Sequence, residues 1–304
     1  MIAAIWRKLF YSTYYFTIAL RRRAKENILT SPAFEAEHVM PATYKVWQAD
    51  PILVDDGQKT YLFYEAVSKE KGRIEVAEVN PDCTVSKSRV ILEDDCHYSY
   101  PFVFRHNQEW YMIPESSAAE EVRLYKAHEF PYEWHLEQVL LRQKSVDTTV
   151  YEKDGEWYLL TFLLDEGTEK VCPQAYRMDW SGEKAALIPM EWAEFDCLNC
   201  RGAGPVREKD GTCYRPVQKS QEQRYGDSLT FFRIHNDEKN YCESYDGSLL
   251  PERITAKGVW MDGLHTYCAS ERFEAIDIRC RQFQFGKAFC AIRNKMKLIL
   301  AKRR

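Results

Sequence analysis

No run of about 20 apolar residues occurs in this sequence, although a helix needs that length to cross a bilayer. Stretches rich in Pro, Gly or Ser, which would mark a linker, are also missing, and the 13 Gly and 12 Pro are scattered over 304 residues. The start is a poor signal peptide, because Arg7 and Lys8 interrupt its apolar segment. We therefore expect one domain with two tails, in the cytoplasm or peripheral at the inner membrane face.

Several catalytic motifs are absent as well. The sequence contains no nucleophile elbow, no P-loop and no zinc-protease motif. Its one CxxC pair is Cys197 and Cys200, with Cys213 beyond it, whereas a structural zinc site normally uses two close pairs of ligands. The ten cysteines are scattered through a chain without an export signal, so we expect reduced thiols and no metal ligands among them.

Acidic residues are missing from both ends of the chain. Residues 1–25 carry six Lys or Arg, residues 279–304 carry nine, and neither segment has an acid. Residues 26–278 therefore hold all 46 acidic residues against 27 basic ones, a charge of −19. Nucleic acid needs a basic face, so we expect no nucleic-acid partner for this acidic body.

The two tails have a different composition from the body. Residues 1–13 mix apolar, aromatic and basic side chains, and residues 286–304 predict a short basic amphipathic helix with apolar residues at helical spacing. Such segments can lie on an anionic membrane surface, which would make peripheral contact through both tails. Alternatively, the C-terminal helix packs on the folded body with its cations in solvent.

The most informative pattern is a repeat. A small or acidic residue, an apolar strand, a turn and an aromatic strand recur five times, the fifth copy being degenerate. The second-strand tyrosines of the first four copies are 50, 47 and 56 residues apart, and periods of about 40 to 50 residues are typical of β-propellers. The copies begin at Ala49, Ser99, Val146, Arg201 and Gly263.

Each copy reads as a β-hairpin, because turns such as Asp56-Gly57 and Asp154-Gly155 tolerate positive φ between strand-forming segments. Further alternating segments supply two more strands per copy. The sequence thus predicts an all-β fold over residues 14–285: a five-bladed β-propeller of four-stranded antiparallel blades. Residues 14–21 would supply a strand that closes the ring. Another all-β sandwich or barrel is the alternative.

The repeat also predicts which side chains meet at the centre. Inner strands of a propeller run along its axis, so their starts converge at one mouth. Eleven residues before the second-strand tyrosines stand Asp50, Tyr100 and Asp147, and near this position the last two copies have Arg201 and His265. Buried ionisable groups of this kind must pair with one another or meet a ligand.

Other polar residues belong to the same mouth. The return strands end at Glu65 and Glu115, His97 leads into the second copy, and residues 223–227 form a candidate rim loop. Two carboxylates across a cavity suffice for glycoside hydrolysis. The candidate catalytic residues are Asp50, Asp147 and Glu115, and the candidate substrate-binding residues are Tyr100, Arg201, His265, His97 and Glu65. Alternatively, Asp50 and Asp147 bond to turn amides and brace the blades.

Several segments carry a resemblance to known families. SYPFVF at 99–104, WYMIPESS at 110–117, RGAG at 201–204 and GLHTY at 263–267 resemble a propeller module. That module forms the N-terminal part of plant glucosamine inositolphosphorylceramide transferases and occurs in stand-alone bacterial proteins. More distantly, ADP at 49–51 with YLFYE at 61–65 looks like the first blade of arabinanase and invertase-like glycosidases.

The resemblance implies a five-bladed propeller in glycolipid or cell-surface polysaccharide synthesis. In the plant proteins the transferase activity belongs to a separate C-terminal domain, so that activity is not implied. In the glycosidases, Asp50 would match the first-blade base or nucleophile. Their second blade has Asp before Pro, where this chain has Tyr100, and their acid is a third-blade Glu, where it has Asp147.

Three functions follow as hypotheses. The axial pocket acts on a glycan or glycolipid by glycosidase-like acid/base chemistry, it recognises such a ligand without catalysis, or the propeller is an interaction scaffold. In the latter two cases a glycosyltransferase is the expected partner. Whether the chain is an enzyme stays open. We expect no cofactor, although the acidic body would tolerate an axial Ca²⁺.

Overall fold

A computed structural model describes residue 10 and residues 13–24, 28–29, 32–164, 171–192, 201–221, 224–237 and 239–283. The predicted C-terminal helix and nearly all of the predicted N-terminal tail lie outside these residues. Short 3-10 helices span Ser117–Ala119 and Pro251–Arg253. The strands are β1 (Thr13–Arg22), β2 (Phe34–Glu35), β3 (His38–Val39), β4 (Val46–Asp55), β5 (Thr60–Ser68), β6 (Lys71–Val79), β7 (Arg89–Leu92), β8 (Ser99–His106), β9 (Glu109–Glu115), β10 (Val122–Glu129), β11 (Glu133–Leu141), β12 (Ser145–Lys153), β13 (Glu156–Leu164), β14 (Val171–Asp179), β15 (Ala186–Trp192), β16 (Arg207–Lys209), β17 (Thr212–Gln221), β18 (Arg224–Ile234), β19 (Asn240–Tyr241), β20 (Glu243–Leu249), β21 (Ile254–Thr255), β22 (Met261–Ala269) and β23 (Phe273–Gln282).

These strands form a five-bladed β-propeller with four-stranded antiparallel blades, which confirms the predicted fold. The first three blades are β4 to β7, β8 to β11 and β12 to β15, each in chain order from the axis outward. The short strand β19 extends the third blade by parallel pairing with β15. The fourth blade is β16, β17, β18 and β20, and β2 pairs separately with β21.

The fifth blade closes the ring with two strands from the N-terminal region and two from the C-terminal region of the chain. Its order is β22, β23, β1 and β3, and β1 pairs with β23 from Thr13↔Gln282 to Arg22↔Phe273. The predicted closing strand is therefore confirmed, and it is the third strand of the blade rather than the outermost. Ile18, Ala19 and Leu20 of β1 are fully buried, because both faces of the strand lie between packed blades.

Apolar contacts between neighbouring blades hold the ring together. Ile18 and Leu20 of the fifth blade pack with Leu53 and Leu62 of the first. A second cluster joins the first three blades around residues such as Phe63. A fully buried side chain of this size contributes about 1.5–3 kcal/mol, so the contacts between blades stabilise the ring substantially.

A repeated backbone irregularity positions the polar residues. The pairing of the innermost two strands breaks between Ala49 and Ile52 in the first blade, and at equivalent points in the second, third and fifth blades. At these breaks Asp50, Tyr100 and Asp147 have φ of 53°, 42° and 50°. A left-handed conformation costs a non-glycine residue on the order of 1–3 kcal/mol, so the surrounding contacts must impose it. The identical conformations confirm the register predicted from the repeat.

The described cysteines are free thiols, and the CxxC pair lies outside the described residues. Within the described part of the chain, no helix has the length and apolar character needed to span a membrane.

Candidate functional site at the mouth of the propeller

The candidate residues meet at one end of the ring, which we call the mouth: the end at which the inner strands β4, β8, β12 and β22 begin. Asp50, Tyr100, Asp147 and His265 lie at the backbone irregularities of these four strands, and Arg201 lies ahead of β16. The structure therefore brings together residues that are up to 215 positions apart in the sequence.

Asp50 connects three blades. Its carboxylate accepts hydrogen bonds from the Tyr100 N–H (3.2 Å) and the Thr266 hydroxyl (2.9 Å), and it lies 3.4 Å from His265 Nε2. Burial, opposed by the charge of His265, raises the pKa of Asp50 to about 8. Asp50 therefore makes the contacts expected of a residue that braces neighbouring blades, and 6% of it is exposed.

His265 is held by Asp277, a residue that was not predicted from the sequence. His265 Nδ1 lies 2.5 Å from Asp277 Oδ2, and the Asp277 carboxylate also accepts backbone N–H bonds from Asp50, His265 and Thr266. Burial alone would lower the pKa of His265, but the carboxylates of Asp277 and Asp50 raise it to about 9. The sequence does contain a signal that could have identified Asp277: it is an acidic residue within the strand segment FEAID at 273–277.

A second cluster forms around Asp147 and Arg201. The guanidinium donates two hydrogen bonds to the carboxylate, at 2.7 and 3.0 Å, and 2% of Asp147 is exposed. Glu115 accepts the Asp147 N–H at 3.3 Å and lies 3.8 Å from Arg201 Nη2. Burial and the charge of Asp147, opposed by Arg201, raise the pKa of Glu115 to about 7. Glu115 is therefore partly protonated near neutral pH.

Tyr100 is fully buried beside these clusters. Its hydroxyl lies 2.9 Å from the Thr149 hydroxyl and accepts the Gly204 N–H at 2.9 Å, so one side chain joins the second, third and fourth blades. Burial raises the pKa of Tyr100 above its usual range. At Gly204 φ is +121° and a Cβ would lie 1.9 Å from the Tyr267 carbonyl oxygen, which explains the glycine of the RGAG segment.

Glu65 and His97 form a pair at the edge of the mouth. His97 Nε2 lies 2.9 Å from Glu65 Oε1, and the Gly72 N–H donates to Nδ1 at 3.0 Å. In this arrangement the imidazole carries its proton on Nε2 and donates to the carboxylate. Glu65 is buried, whereas 42% of the His97 side chain is exposed, so the imidazole is the accessible member.

Tyr225 covers part of the mouth. Its ring lies 5.5 Å from the Arg201 guanidinium carbon and 5.1 Å from the His265 ring, and 37% of the residue is exposed. Arg279 positions it by donating to the Tyr225 carbonyl oxygen while pairing with Asp227 at 3.0 Å. The sequence predicted a rim loop over residues 223–227, whereas Arg224 to Asp227 begin strand β18, so Tyr225 is held by a strand and not by a loop.

The mouth contains one group of side chains whose donor atoms could hold a metal ion. Among the described residues, one group, Asp50, His265 and Asp277, has potential ligand atoms within 4.8 Å of one another. These two carboxylates already accept five hydrogen bonds from Tyr100, Thr266, Asp50 and His265 groups. Ca²⁺ takes six to eight oxygen ligands, so the residues fit an internally paired cluster better than a calcium site.

The accessible edge of the mouth differs from its floor. Asp50, Tyr100, Asp147 and Asp277 are at most 6% exposed and bond to protein groups. The side chains that reach solvent are Glu115, Arg201, His97 and Tyr225. A ligand at the mouth would therefore meet one carboxyl group, one guanidinium, one imidazole and one aromatic ring.

Sequence comparison places this chain near a defined group of proteins. Residues 27–264 match the family described as glucosamine inositolphosphorylceramide transferase 1, N-terminal. The transferase of that name from Oryza sativa subsp. indica is 33% identical over 223 residues, which cover 70% of this chain and 29% of the rice protein. The Arabidopsis thaliana transferase is 37% identical over 115 residues, 37% of this chain and 15% of that protein. The match thus spans less than a third of these relatives.

Solved structures with a similar fold include a GH43_1 enzyme and an arabinanase. A GH43_1 enzyme from Xanthomonas citri has a TM-score of 0.55 at 15% identity, covering 84% of this chain and 92% of that enzyme. The α-L-arabinanase of Cellvibrio cellulosa, solved with arabinohexaose, has a TM-score of 0.51 at 13% identity, covering 76% and 91%. At these identities the likeness shows the propeller fold alone.

Proposed function

Because this chain belongs to the family defined by the N-terminal region of glucosamine inositolphosphorylceramide transferase 1, we propose that its mouth recognises a glycan or the glycan headgroup of a glycolipid. The observation that supports this most is the accessible edge, where an exposed aromatic ring lies beside a carboxyl group, a guanidinium and an imidazole. Aromatic faces pack on the apolar faces of sugar rings, and a few convergent polar groups fix the orientation of such a ligand.

The carboxyl group at the accessible edge of the mouth favours an amino sugar. Of the five carboxyl groups there, Asp50 is held largely neutral by its raised pKa, and Glu65, Asp147 and Asp277 are buried against His97, Arg201 and His265, which leaves Glu115 as the one that reaches solvent. An ammonium group near Glu115 would favour the ionised carboxylate, so it would offset the cost of charging a buried acid. The names of the relatives contain glucosamine, which agrees with this chemistry.

A titration of the full chain tests this proposal. We expect glucosamine to bind more tightly than glucose, and Tyr225→Ala to weaken binding about tenfold by removing the stacking surface. Tyr245→Ala is the matched control, because Tyr245 is 65% exposed on the outer strand of the fourth blade. Equal affinity of the wild type and Tyr225→Ala, or no binding of any saccharide, would contradict the proposal.

Glycosidase-like acid/base chemistry is a second candidate function. It is favoured by Glu115, whose pKa of about 7 suits a general acid at neutral pH. Asp50 stands at the position of the base, but its pKa of about 8 keeps it largely protonated at neutral pH, which opposes that role; Glu115 occupies the accessible side. The burial of Asp50 and the salt bridge between Asp147 and Arg201 favour recognition over turnover.

Hydrolysis of aryl glycosides by the full chain separates the two functions. If the mouth is catalytic, Asp50→Asn should lower the rate at least about a hundredfold while leaving sugar binding measurable. Residual turnover that is unchanged in Asp50→Asn and in Glu115→Gln would rule out this chemistry at the mouth.

We further propose that the propeller works beside a glycosyltransferase in glycolipid or cell-surface polysaccharide synthesis, on the cytoplasmic side of an anionic membrane reached by its basic tails. The relatives carry transferase names, and their matched regions are a minor part of their length. The pairing of Thr13 with Gln282 supports the role of the tails, since both described ends of the chain lie at the mouth. Copurification of the full chain with a glycosyltransferase from membranes, and its loss on salt washing, is the corresponding test.

A further inference from the structure

Exposed aromatic and apolar side chains cluster on one side of the mouth. Tyr14 is the second residue of β1 and Phe283 follows β23. Val46 begins β4, and Tyr44 precedes that strand by two residues. These four residues, which we call the rim patch, are between 39% and 51% exposed. Large apolar side chains this exposed, grouped at one end of a propeller, mark an interaction surface.

The rim patch belongs to adjoining elements. The Tyr44 N–H donates to Gln282 Oε1 at 3.2 Å, and Gln282 pairs with Thr13. The tips of the fifth and first blades therefore meet where the patch lies. Cations border it: the Arg281 guanidinium carbon lies 5.4 Å from the Tyr14 ring, and Lys45 Nζ lies 5.8 Å from the Tyr44 ring.

A row of aromatic rings connects the rim patch with the candidate site. The Phe16 ring lies 6.2 Å from Tyr14, 6.1 Å from Trp47 and 6.2 Å from Tyr225. The same ring lies 4.5 Å from His265 in the floor of the mouth. A surface docked on the rim patch would consequently border the mouth.

The charge of the chain identifies what would dock there. Residues 1–12 contain two basic residues, residues 284–304 contain seven, and neither segment contains an acid. Residues 1–12 come directly before β1 and residues 284–304 directly after Phe283, so both segments are joined to the propeller beside the rim patch. Residues 26–278, in contrast, carry a charge of −19. An anionic bilayer attracts the basic segments and repels the acidic body, and Tyr and Trp side chains prefer the membrane interface.

We propose that the rim patch docks on an anionic lipid bilayer, so that the mouth opens along the membrane surface. Together with the proposed function, on which this extension rests, the docking assigns the ligand class: a glycan whose lipid anchor stays in the bilayer while its headgroup enters the mouth. Tyr225, between the rim patch and Arg201, would then be the first ring that the headgroup meets.

Vesicle sedimentation with the full chain tests the docking. Vesicles of phosphatidylcholine with 30 mol% phosphatidylglycerol should bind the wild type, and binding should fall about tenfold or more in the triple variant Tyr14→Ser, Tyr44→Ser and Val46→Ser. The matched control is Tyr245→Ser, Leu136→Ser and Val90→Ser, which removes side chains of similar exposure from the outer parts of three blades and should leave binding unchanged.

The orientation has its own readout. Brominated lipids should quench Trp47 near the rim patch, so Trp47→Phe should lower the quenched fraction of the fluorescence, whereas Trp134→Phe on an outer strand should not. Equal vesicle binding by the triple variant and its control would overturn the proposal, because the rim patch would then contribute nothing to binding. Equal binding to pure phosphatidylcholine would overturn the part played by charge.

Soluble glucosamine separates this proposal from the proposed function. The triple variant leaves Tyr225, Glu115 and Arg201 in place, so it should bind the free sugar like the wild type. Vesicle binding with no sugar binding by any protein would refute glycan recognition and leave the docking intact. Sugar binding with no vesicle binding would refute the docking and leave glycan recognition intact.

Discussion

At the scale of single residues, the mouth is a set of ionisable groups that satisfy one another. Asp277 receives three backbone N–H groups and His265, and Arg201 binds Asp147 with two hydrogen bonds. Buried charges persist in proteins when they are paired in this way, because desolvation of a lone charge costs several kcal/mol. Burial raises the pKa values of Asp50 and Glu115, and the neighbouring carboxylates raise that of His265, so three groups titrate in the range of ordinary buffers.

The stability of the protein should consequently depend on pH. Asp50 and Glu115, with pKa values raised to about 8 and 7 from 3.8 and 4.5, bind more protons in the folded state, so their contribution is lost as pH rises. His265, raised from 6.5 to about 9, acts in the same direction. We expect the Tm to fall by on the order of a few degrees between pH 6 and 9.

Differential scanning calorimetry at several pH values measures this decline. Glu115→Gln removes one of the shifted groups and should flatten the slope between pH 6 and 8. Glu156→Gln removes an exposed carboxylate far from the mouth and should leave the slope as in the wild type. A Tm that rises with pH over this range would contradict the assignment of raised pKa values.

At the scale of elements, the inner strands link neighbouring blades at the breaks in their pairing with the second strands. In the first three blades a left-handed residue turns the chain at the same place, and its side chain or backbone bonds to the next blade. Tyr100 extends this principle, since its hydroxyl bonds to Thr149 in the third blade and to the Gly204 N–H before the fourth. The blades are thus linked by polar contacts at the axis as well as by apolar faces.

Removal of the Tyr100 hydroxyl should reveal the strength of this link. Tyr100→Phe leaves the Gly204 N–H without its partner in a buried place and removes one of the two bonds of the Thr149 hydroxyl, which should cost about 1–3 kcal/mol of unfolding free energy. Urea denaturation followed by tryptophan fluorescence gives that value. Tyr245→Phe, at a 65% exposed position, is the control and should change it by less than about 0.5 kcal/mol.

The repeat explains which parts of the site could be predicted. Because each inner strand keeps the same number of residues up to its turn, Asp50, Tyr100 and Asp147 could be aligned by counting. Contacts between blades do not follow from that count, so the pairing of Asp147 with Arg201 and of His265 with Asp277 was not predicted. The fourth and fifth copies depart most from the repeat, and the missed residues lie there.

At the scale of the whole molecule, the fold depends on a strand that arrives from the other end of the sequence. The apolar pattern at 14–21 predicted a closing strand, but its place between β23 and β3 depends on where the ring leaves a gap. Since Ile18 and Leu20 pack against the first blade, β1 contributes to the fifth blade and to its interface with the first.

A cavity in the closing strand should therefore weaken the whole ring. Leu20→Ala should lower the unfolding free energy by about 2–5 kcal/mol, in one cooperative transition for all tryptophans, because the residue is fully buried. Ile188→Ala, at a 38% exposed position of β15, should cost much less. Separate transitions for different tryptophans, or equal losses in the two variants, would show that closure is not what couples the blades.

The side-by-side pairing of Thr13 with Gln282 brings the start of β1 and the end of β23 together at the mouth. The chain therefore enters and leaves the propeller on the same side of the ring. A gene fusion at either terminus would attach its second domain on that side, next to the mouth, whichever end of the sequence is extended.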